Sequence, residues 1–360
     1  MAARALVAPA DRHETPYYRR ATQAEALLLL RRRSEAELEL RAAIALAPRA
    51  WEDHAVTLKQ FELILERQGE PASWLDLLRP PRCLHFGGRM HVLQDDPRRD
   101  EAIAAWLETE RIGFGFGALA AGADLVVAEA LLARGAELHV VLPGPSFNFE
   151  EVSVSPFGER WLERYRAVRE AAAEIRVLQH GFSPDSPAAV ACAAKVAMGA
   201  SAIRAEILAT EAIQLLLAGQ NGLGAASEGI EQGWARSGRR QSVLTVHCVE
   251  GSAPVSSAET ELMAGVFVAA ALDGAERRGT LAAIAEHIAT AESLAPPVWL
   301  GRTLRLTYAD MDRAIQVARR VAASGLAVVV HYGVVNRQRD PIAGVSVMLG
   351  RDVDLAAEML

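Results

Sequence analysis

Between residues 82 and 247, short apolar runs alternate with longer helical stretches, and this alternation limits the fold more than any other feature. Strands of a parallel sheet are buried on both faces, so they read as continuous apolar runs joined by helical crossovers. The pattern predicts an α/β domain with a doubly wound parallel sheet, whose ligands bind at the carboxyl ends of the strands. The predicted strands are 83–86, 112–116, 137–142, 174–178, 212–217 and 242–247, and the predicted helices are 97–109, 122–134, 157–172, 187–209 and 226–237.

Residues 16–69 have apolar positions at helical spacing throughout. Thr15 and Pro16 suit the cap and first turn of a helix, Pro48 ends a second helix, and a third is predicted from Trp51 to Gln68. The pattern resembles a single tetratricopeptide-type unit and the TRAFs-binding region that precedes bacterial cyclase-like modules. One repeat cannot bury its own apolar face. We therefore expect these helices to dock on the rest of the chain or on a partner.

Glycine-bearing loops follow the first two predicted strands. Glycine lets the backbone approach a ligand, and the amino terminus of a helix offers free N–H groups to an anion. The loops predict phosphate binding, and a side chain at Gly117 would hold a phosphate away from the amides. The candidate ligand-binding residues here are Gly87, Gly88 and Arg89 after the first strand, and Gly115, Gly117, Ala118, Gly122 and Asp124 after the second.

A third loop follows the strand that ends at Leu217 and opens the helix at 226–237. Its candidate ligand-binding residues are Gly219, Asn221, Gly222, Gly224, Ala225 and Glu228. The loop is similar to the GGxGTxxE signature of the SLOG superfamily, and the segment from Gly122 to Pro143 resembles the same group. These are Rossmann-like nucleotide sensors related to phosphoribohydrolases, so the resemblance implies a nucleotide-type ligand.

The resemblance also leaves a hydrolase open. In the phosphoribohydrolase branch the signature glutamate assists ribosyl cleavage, which would give Glu228 that role. Asn221 and Ala225 replace a glycine and the threonine of the signature, and this change weighs more against hydrolysis than against binding. A carboxylate in the first turn of a helix is also favoured by the helix dipole alone.

The last hundred residues carry a second set of motifs. An apolar run from Leu326 is predicted to end in a His331-x-Gly333 turn, Gly350–Glu358 reads as the opening of a helix, and Gly301–Tyr308 reads as a hairpin. These motifs resemble the class III adenylate/guanylate cyclase homology domain, in which an LHxG strand is followed by a GxxVNxAAR helix. That resemblance implies a ferredoxin-like α+β sheet, truncated here, whose open edge needs a second copy or the rest of the chain to cover it.

The positions that carry chemistry in that family are replaced. Its two metal-binding aspartates correspond to Arg302 in the hairpin and to Ala270 on the first strand, or to Cys248 if that strand is 246–251. Its transition-state asparagine and arginine correspond to Asp354 and Glu358. Magnesium requires oxygen ligands, so no Mg²⁺ site is expected here and the domain is predicted to be a pseudocyclase.

Composition excludes several classes of function. The net charge of −7 gives no electrostatic basis for binding nucleic acid or an anionic membrane. Cysteines 83, 192 and 248 lie far apart, without the spacing of a disulfide framework or a zinc site. The chain lacks a signal-peptide pattern and an uninterrupted apolar span, so a cytoplasmic location is expected. The arginines at 31–33 are interpreted as the solvated face of a helical stretch.

The sequence therefore predicts three parts: a helical segment at 1–80, a SLOG-like Rossmann-like domain at 81–250 and a degenerate cyclase-like domain at 262–360. The function that follows is a non-catalytic bacterial signalling protein that senses a nucleotide-type ligand, with no certain cofactor. Two alternatives remain: an N-glycosidase-type nucleotide hydrolase that uses Glu228, and the regulatory half of a heteromeric cyclase. A homodimer or a complex with a partner signalling protein is expected.

Overall fold

A computed structural model describes residues 15–178, 184, 186–249, 260–269, 278–282, 284–285, 293–339, 346–349, 353, 355 and 358–360. The chain begins with three helices, α1 (Pro16–Leu29), α2 (Arg33–Leu46) and α3 (Trp51–Gln68), followed by a 3₁₀ helix at Ser73–Leu78. The predicted cap is confirmed, because the Thr15 hydroxyl accepts a hydrogen bond from the Tyr18 amide at 3.3 Å.

The prediction that the arginine run is helical is wrong for Arg31 and Arg32. Arg31 adopts a φ of 61°, and the amides of Arg31 and Arg32 donate to the carbonyls of Leu28 and Leu27. This is the Schellman arrangement, which satisfies the last carbonyls of α1 and reverses the chain into α2. Arginine here occupies a left-handed position that glycine usually takes.

The alternating segment forms a six-stranded parallel sheet, as predicted. Its strands are β1 (Arg82–Gly88), β2 (Ile112–Gly117), β3 (Glu137–Leu142), β4 (Glu174–Val177), β5 (Ala212–Ala218) and β6 (Gln241–Thr245). The helices are α4 (Pro97–Thr109), α5 (Ala123–Ala133), α6 (Ser146–Ser153), α7 (Glu159–Ala171), α8 (Pro187–Ile207) and α9 (Ala225–Ala235), with a 3₁₀ turn at Ser155–Phe157. The strand order β4-β3-β2-β1-β5-β6 reverses direction between β1 and β5.

Helices cover both faces of this sheet. On one face, Leu84 and Leu215 pack with Ile103 of α4, Leu125 of α5 and Tyr165 of α7. On the other face, alanines of α8 and Trp234 of α9 pack against Phe114 and Phe116 of β2. Because these strands are buried on both faces, polar and apolar residues do not alternate along them.

A second, antiparallel sheet follows, with the order β11-β10-β7-β9-β8. Its strands are β7 (Thr260–Ala269), β8 (Ala295–Leu300), β9 (Thr303–Tyr308), β10 (Val328–Arg339) and β11 (Ser346–Leu349), and α10 (Met311–Ala323) connects β9 to β10. Residues 278–282 and 284–285 are helical and lie between β7 and β8 in the chain. Alanine and valine side chains of α10 pack against one face of the sheet.

The predicted turn at His331-x-Gly333 is wrong. β10 runs without interruption from Val328 to Arg339, because residues 328–336 pair with β7 over their whole length. The chain reverses after Arg339 and returns as β11, which pairs with the last four residues of β10. Pairing with a neighbouring strand therefore overrides the local turn signal of the His-x-Gly sequence.

The two edge strands of the second sheet, β8 and β11, curve towards each other. Buried Arg305 on β9 donates from Nη1 to the carbonyl oxygen of Met348 on β11, at 3.1 Å. This curvature reduces the open edge that the sequence predicts for a truncated sheet.

Helix α8 contacts all three parts of the chain. Ala188 and Cys192 pack with Val334 of β10, and the Lys195 ammonium lies 4.5 Å from the centre of the Tyr332 ring and donates to its hydroxyl. At its other end, Arg204 pairs with Glu52 of α3 at 2.6 Å. Among the described helices, α8 is the one long and apolar enough to cross a membrane by length and composition. Of its most apolar stretch, 39% is buried within the protein, whereas Ile203 and Ile207 are exposed.

Candidate functional site

The candidate site lies at the carboxyl ends of β1 and β5, where the strand order reverses. Backbone hydrogen bonds bring the predicted loops together: the Arg89 amide donates to the Leu217 carbonyl at 3.0 Å, and the Ala123 amide donates to the Arg89 carbonyl at 2.9 Å. The hydroxyl of buried Ser227, on α9, donates to the Gly88 carbonyl at 3.3 Å. Parts of all three glycine-bearing loops therefore meet at this point.

Two glycines are required by this close approach. Gly88 has a φ of 151°, and a Cβ there would lie 2.4 Å from the Leu217 carbonyl oxygen. Gly122 has a φ of 95°, and a Cβ there would lie 2.2 Å from the carbonyl oxygen of Met90. Both distances are shorter than van der Waals contact, so only glycine fits without moving the backbone.

The space beside Gly115 and Gly117 is occupied by core side chains. A Cβ at Gly117 would lie 2.7 Å from the Phe86 ring, and one at Gly115 would lie 2.3 Å from Leu131. These glycines make room for core side chains on β1 and α5, and Ala118 packs against the same core. The first amide of α5, that of Ala123, donates to the Arg89 carbonyl.

The loop after β5 is a tight turn that leads into α9. Gly219 and Gly222 exchange backbone hydrogen bonds of 3.1 and 2.9 Å, Gly222 has a φ of 86°, and Asn221 is exposed at the tip. Gly224 is the cap residue of α9, which begins at Ala225. This helix terminus faces the loop after β1.

The Arg89 side chain extends over the loop after β5. A Cβ at Gly224 would lie 3.1 Å from Arg89 Nη1, and one at Gly219 would lie 3.6 Å from Arg89 Nε. Glycine at both positions therefore leaves room for the guanidinium beside the amino terminus of α9.

The partly buried Arg89 guanidinium has no carboxylate in ion-pair range and no hydrogen-bond acceptor among the described residues. At the opposite edge of the same sheet, Arg82 and Arg240 pair with Glu110 and Glu211 at 2.7–3.4 Å. A partly buried cation normally has an anionic partner. Arg89 therefore presents a positive charge without an acceptor, among the described residues, in the crevice between the loops after β1 and β5.

Asp124 is the acidic group of this crevice. One of its carboxylate oxygens accepts from the Ala120 amide at 3.2 Å, and the other lies 3.8 Å from the position of a Cβ at Gly87. Burial raises the pKa of the Asp124 carboxyl from 3.8 to about 7, and the hydrogen bond from Ala120 opposes that rise.

The sequence analysis did not assign two residues near the crevice, His91 and Cys248, to the site. The Val249 amide donates to the His91 carbonyl at 2.8 Å, and Val92 pairs with Cys248, so the segment after β6 lies beside the segment after β1. The Cys248 sulfur would lie 3.0 Å from a Cβ at Gly219. Burial and the charge of Arg89 lower the pKa of His91. No motif in the sequence marks either residue as part of the site.

Most of the other predicted residues are exposed or lie outside the described residues. Glu228 is exposed in the first turn of α9, and Arg302 is exposed in the turn between β8 and β9. Glu358 is exposed, whereas Ala270 and Asp354 lie outside the described residues. Cys248 lies outside the antiparallel sheet, so the strand paired with the Arg302 hairpin is β7 and not 246–251. Within the described ranges, no three His, Cys, Asp or Glu side chains are grouped to hold a metal ion.

No family model and no curated protein matches this chain. Solved structures that it is similar to include Clostridium acetobutylicum aspartate kinase, at 9% identity and a TM-score of 0.20, covering 78% of this chain and 98% of that one. Aspartokinase III of E. coli, in complex with aspartate and ADP, gives 11% identity, a TM-score of 0.18 and coverage of 96% and 72%. These TM-scores are too low to indicate a shared fold, so the site has to be interpreted from its own geometry.

The effect of crowding at Gly122 on the free energy of unfolding can be measured apart from the effect of its positive φ. We expect Gly122→Ala to lower the free energy of unfolding by about 1–3 kcal/mol more than Gly135→Ala. Both glycines have positive φ, but a Cβ at Gly135 meets nothing within 4 Å. Urea unfolding of the two variants measures the difference, and equal losses would show that the approach of α5 to the Arg89 loop is not tight.

The raised pKa of Asp124 predicts a pH-dependent stability. The unfolded chain loses this proton near pH 4 and the folded chain near pH 7, so the folded state binds more protons between the two. Stability should therefore fall as pH rises through this window, by on the order of 1–4 kcal/mol, and Asp124→Asn should remove the fall.

Urea unfolding of the parent and of Asp124→Asn from pH 4.5 to 8 measures this effect. The difference between their free energies of unfolding cancels the contribution of other titrating groups, such as buried His85, whose pKa burial lowers to about 3. Parallel stability curves for the two proteins would contradict the prediction.

Proposed function

We propose that this protein is a non-catalytic sensor that binds the anionic part of a nucleotide-type ligand in the crevice between β1 and β5. The observation that carries the proposal is the Arg89 guanidinium, which is partly buried beside the amino terminus of α9 and has no acceptor among the described residues. An arginine in that position offers paired N–H donors to a phosphate, and the helix terminus adds backbone amides and a favourable dipole.

The topology and sequence of the crevice support the same proposal. Open α/β sheets bind ligands where the strand order reverses, and β1 and β5 are the strands on either side of that point. The loop that closes the crevice carries the segment similar to the SLOG signature, from Asn221 to Glu228. The proposed domain is thus SLOG-like and Rossmann-like, and the ligand phosphate lies against Arg89 and Gly224. The α5 terminus is not part of this contact.

The hydrolase alternative has less support. Glu228 is exposed and lies in the first turn of α9, and no described neighbour holds it against the Arg89 crevice. A general acid or base has to reach the reacting atom of a bound substrate within hydrogen-bond distance. We therefore propose binding without ribosyl cleavage.

For the second domain we propose a degenerate class III cyclase homology unit with a regulatory role. Its chain path is β-α-β-β-α-β with the strand order β10-β7-β9-β8, which is the ferredoxin-like order that the sequence resemblance implies. The proposal draws further support from Arg302, a cation in the hairpin turn where the family has a metal-binding aspartate. The remaining alternative is that this unit is the regulatory half of a heteromeric cyclase.

The sensor proposal is tested by calorimetry with pyrophosphate, AMP, ADP, ATP and cyclic AMP at low ionic strength. We expect at least one of these probes to bind, and Arg89→Ala to weaken it by about tenfold to a hundredfold, as loss of a charged hydrogen bond implies. Gly224→Asp should abolish binding, because its carboxylate would lie near Arg89 and repel the phosphate.

Exposed Arg236 supplies the matched control, since it lies at the opposite end of α9 from Gly224, and Arg236→Ala removes the same charge and should leave affinity unchanged. Absence of binding to every probe, or equal affinity of the parent and Arg89→Ala, would show that the crevice is not an anion site.

The pseudocyclase proposal predicts no cyclic AMP or cyclic GMP from ATP or GTP with Mg²⁺ or Mn²⁺. The physical reason is that an arginine cannot ligate the metal ions this chemistry requires. The measurement is product formation by the purified full chain over hours. Metal-dependent turnover that is lost on substitution within residues 262–360 would overturn it.

A further inference from the structure

The Asp124 carboxyl is a hydrogen-bond acceptor in the Arg89 crevice that the proposed phosphate contact does not use. Asp124 is partly buried in the first turn of α5. Its Oδ2 atom accepts a hydrogen bond from the Ala120 amide at 3.2 Å, whereas its Oδ1 atom has no donor among the described residues. A carboxylate oxygen withdrawn from water normally accepts a hydrogen bond. A ligand that brings a donor to Oδ1 would therefore gain affinity.

The Oδ1 atom lies on the side of β1 that α9 covers, although α5 itself packs against the opposite face of the sheet. His85 of β1 stacks on Trp234 of α9, with ring centroids 5.7 Å apart. Side chains alternate along a strand, so a side chain at Gly87 would point to the same face as His85. A Cβ at Gly87 would lie 3.8 Å from Asp124 Oδ1. The Asp124 side chain therefore reaches over the carboxyl end of β1 towards α9.

The Arg89 guanidinium reaches the start of α9 from the neighbouring loop. A Cβ at Gly224, the cap residue of α9, would lie 3.1 Å from Arg89 Nη1. The two loops are joined by their backbones, since the Ala123 amide donates to the Arg89 carbonyl at 2.9 Å. A cation and a carboxyl thus face the crevice from two loops that are hydrogen-bonded to each other.

The two groups require different chemistry from one ligand. A phosphate at Arg89 has acceptor oxygens and a negative charge, so it repels Asp124 and cannot donate to Oδ1. A hydroxyl group can donate to Oδ1, and the part of a nucleotide next to its phosphate is a sugar that carries hydroxyl groups. Inorganic phosphate and pyrophosphate would satisfy Arg89 alone, whereas a sugar phosphate would satisfy both groups.

We propose that the ligand of this crevice belongs to the ribonucleotide class, and that Asp124 accepts a hydrogen bond from one of its ribose hydroxyls. The inference rests on the proposed function, because it takes the phosphate to lie against Arg89 and Gly224. Asp124 then determines specificity, since it favours ribonucleotides over deoxy analogues and over inorganic anions. Burial raises the pKa of this carboxyl to about 7, and a hydrogen bond donated by the ligand favours its ionised form.

The test is calorimetry with AMP, 2′,3′-dideoxy-AMP and pyrophosphate at pH 8, where most of the Asp124 carboxyl is ionised. We expect the parent protein to bind AMP about tenfold to a hundredfold more tightly than the dideoxy analogue, because the analogue cannot make a hydrogen bond to a charged group. Asp124→Asn should weaken AMP binding by about tenfold, since a neutral amide is a weaker partner for the hydroxyl. The same change should leave the dideoxy analogue and pyrophosphate bound as well as before or more tightly, because it removes a negative charge from the crevice.

Asp312→Asn is the matched control. Asp312 is exposed at the corresponding place in the first turn of α10, outside the parallel sheet. The substitution is chemically the same, and we expect it to change none of the affinities.

Two results would overturn the inference without affecting the anion site. One is equal affinity of the parent for AMP and the dideoxy analogue, or binding of pyrophosphate alone. The other is a loss on Asp124→Asn that is the same for every probe, which would show that Asp124 only shapes the loops. Absence of binding to every probe would instead refute the anion site at Arg89, and this inference with it.

Discussion

The packing of α8 is the interaction on which the rest of the structure depends. Its inward positions are mostly alanine, so the helix axis can approach the parallel sheet closely, and Ala193 and Ala197 lie against the aromatic side chains of β2. The same helix reaches β10 through Ala188 and Cys192, and reaches α3 through Arg204. Larger residues on this helix would separate the three parts of the chain.

The Arg89 crevice is a consequence of this arrangement. With α8 and α9 on one face and α5 on the other, the loops after β1 and β5 can meet only above the ends of those strands. Backbone contact between them is so close that Gly88 and Gly122 have no space for a side chain. What remains is a cation without an acceptor among the described residues and a carboxyl of raised pKa, on loops whose backbone is already hydrogen-bonded and therefore preorganised.

Local signals in the sequence gave the parallel sheet and the first three helices accurately. Trp51–Gln68 and Pro97–Thr109 have the predicted bounds, and Gly69 marks the end of the first helix and Pro97 the start of the second. Other features depend on contacts between distant residues. The predicted turn at His331 is wrong because β10 pairs with β7 across this position. Helix α6 was not predicted because its eight residues show no clear periodicity. Gly117 looks the same in sequence whether it faces a ligand or the Phe86 ring, and only the packing decides.

The position of α8 in the chain has a consequence for synthesis. The apolar surface of α8 that contacts β7 and β10 is complete once residue 207 has been made, but its partners at 260–269 and 328–339 follow later. At ordinary rates of translation this leaves the surface uncovered for on the order of ten seconds. Apolar surface that is transiently exposed during folding is prone to aggregation. The parallel sheet can form early, whereas its junction with the second sheet has to wait for the end of the chain.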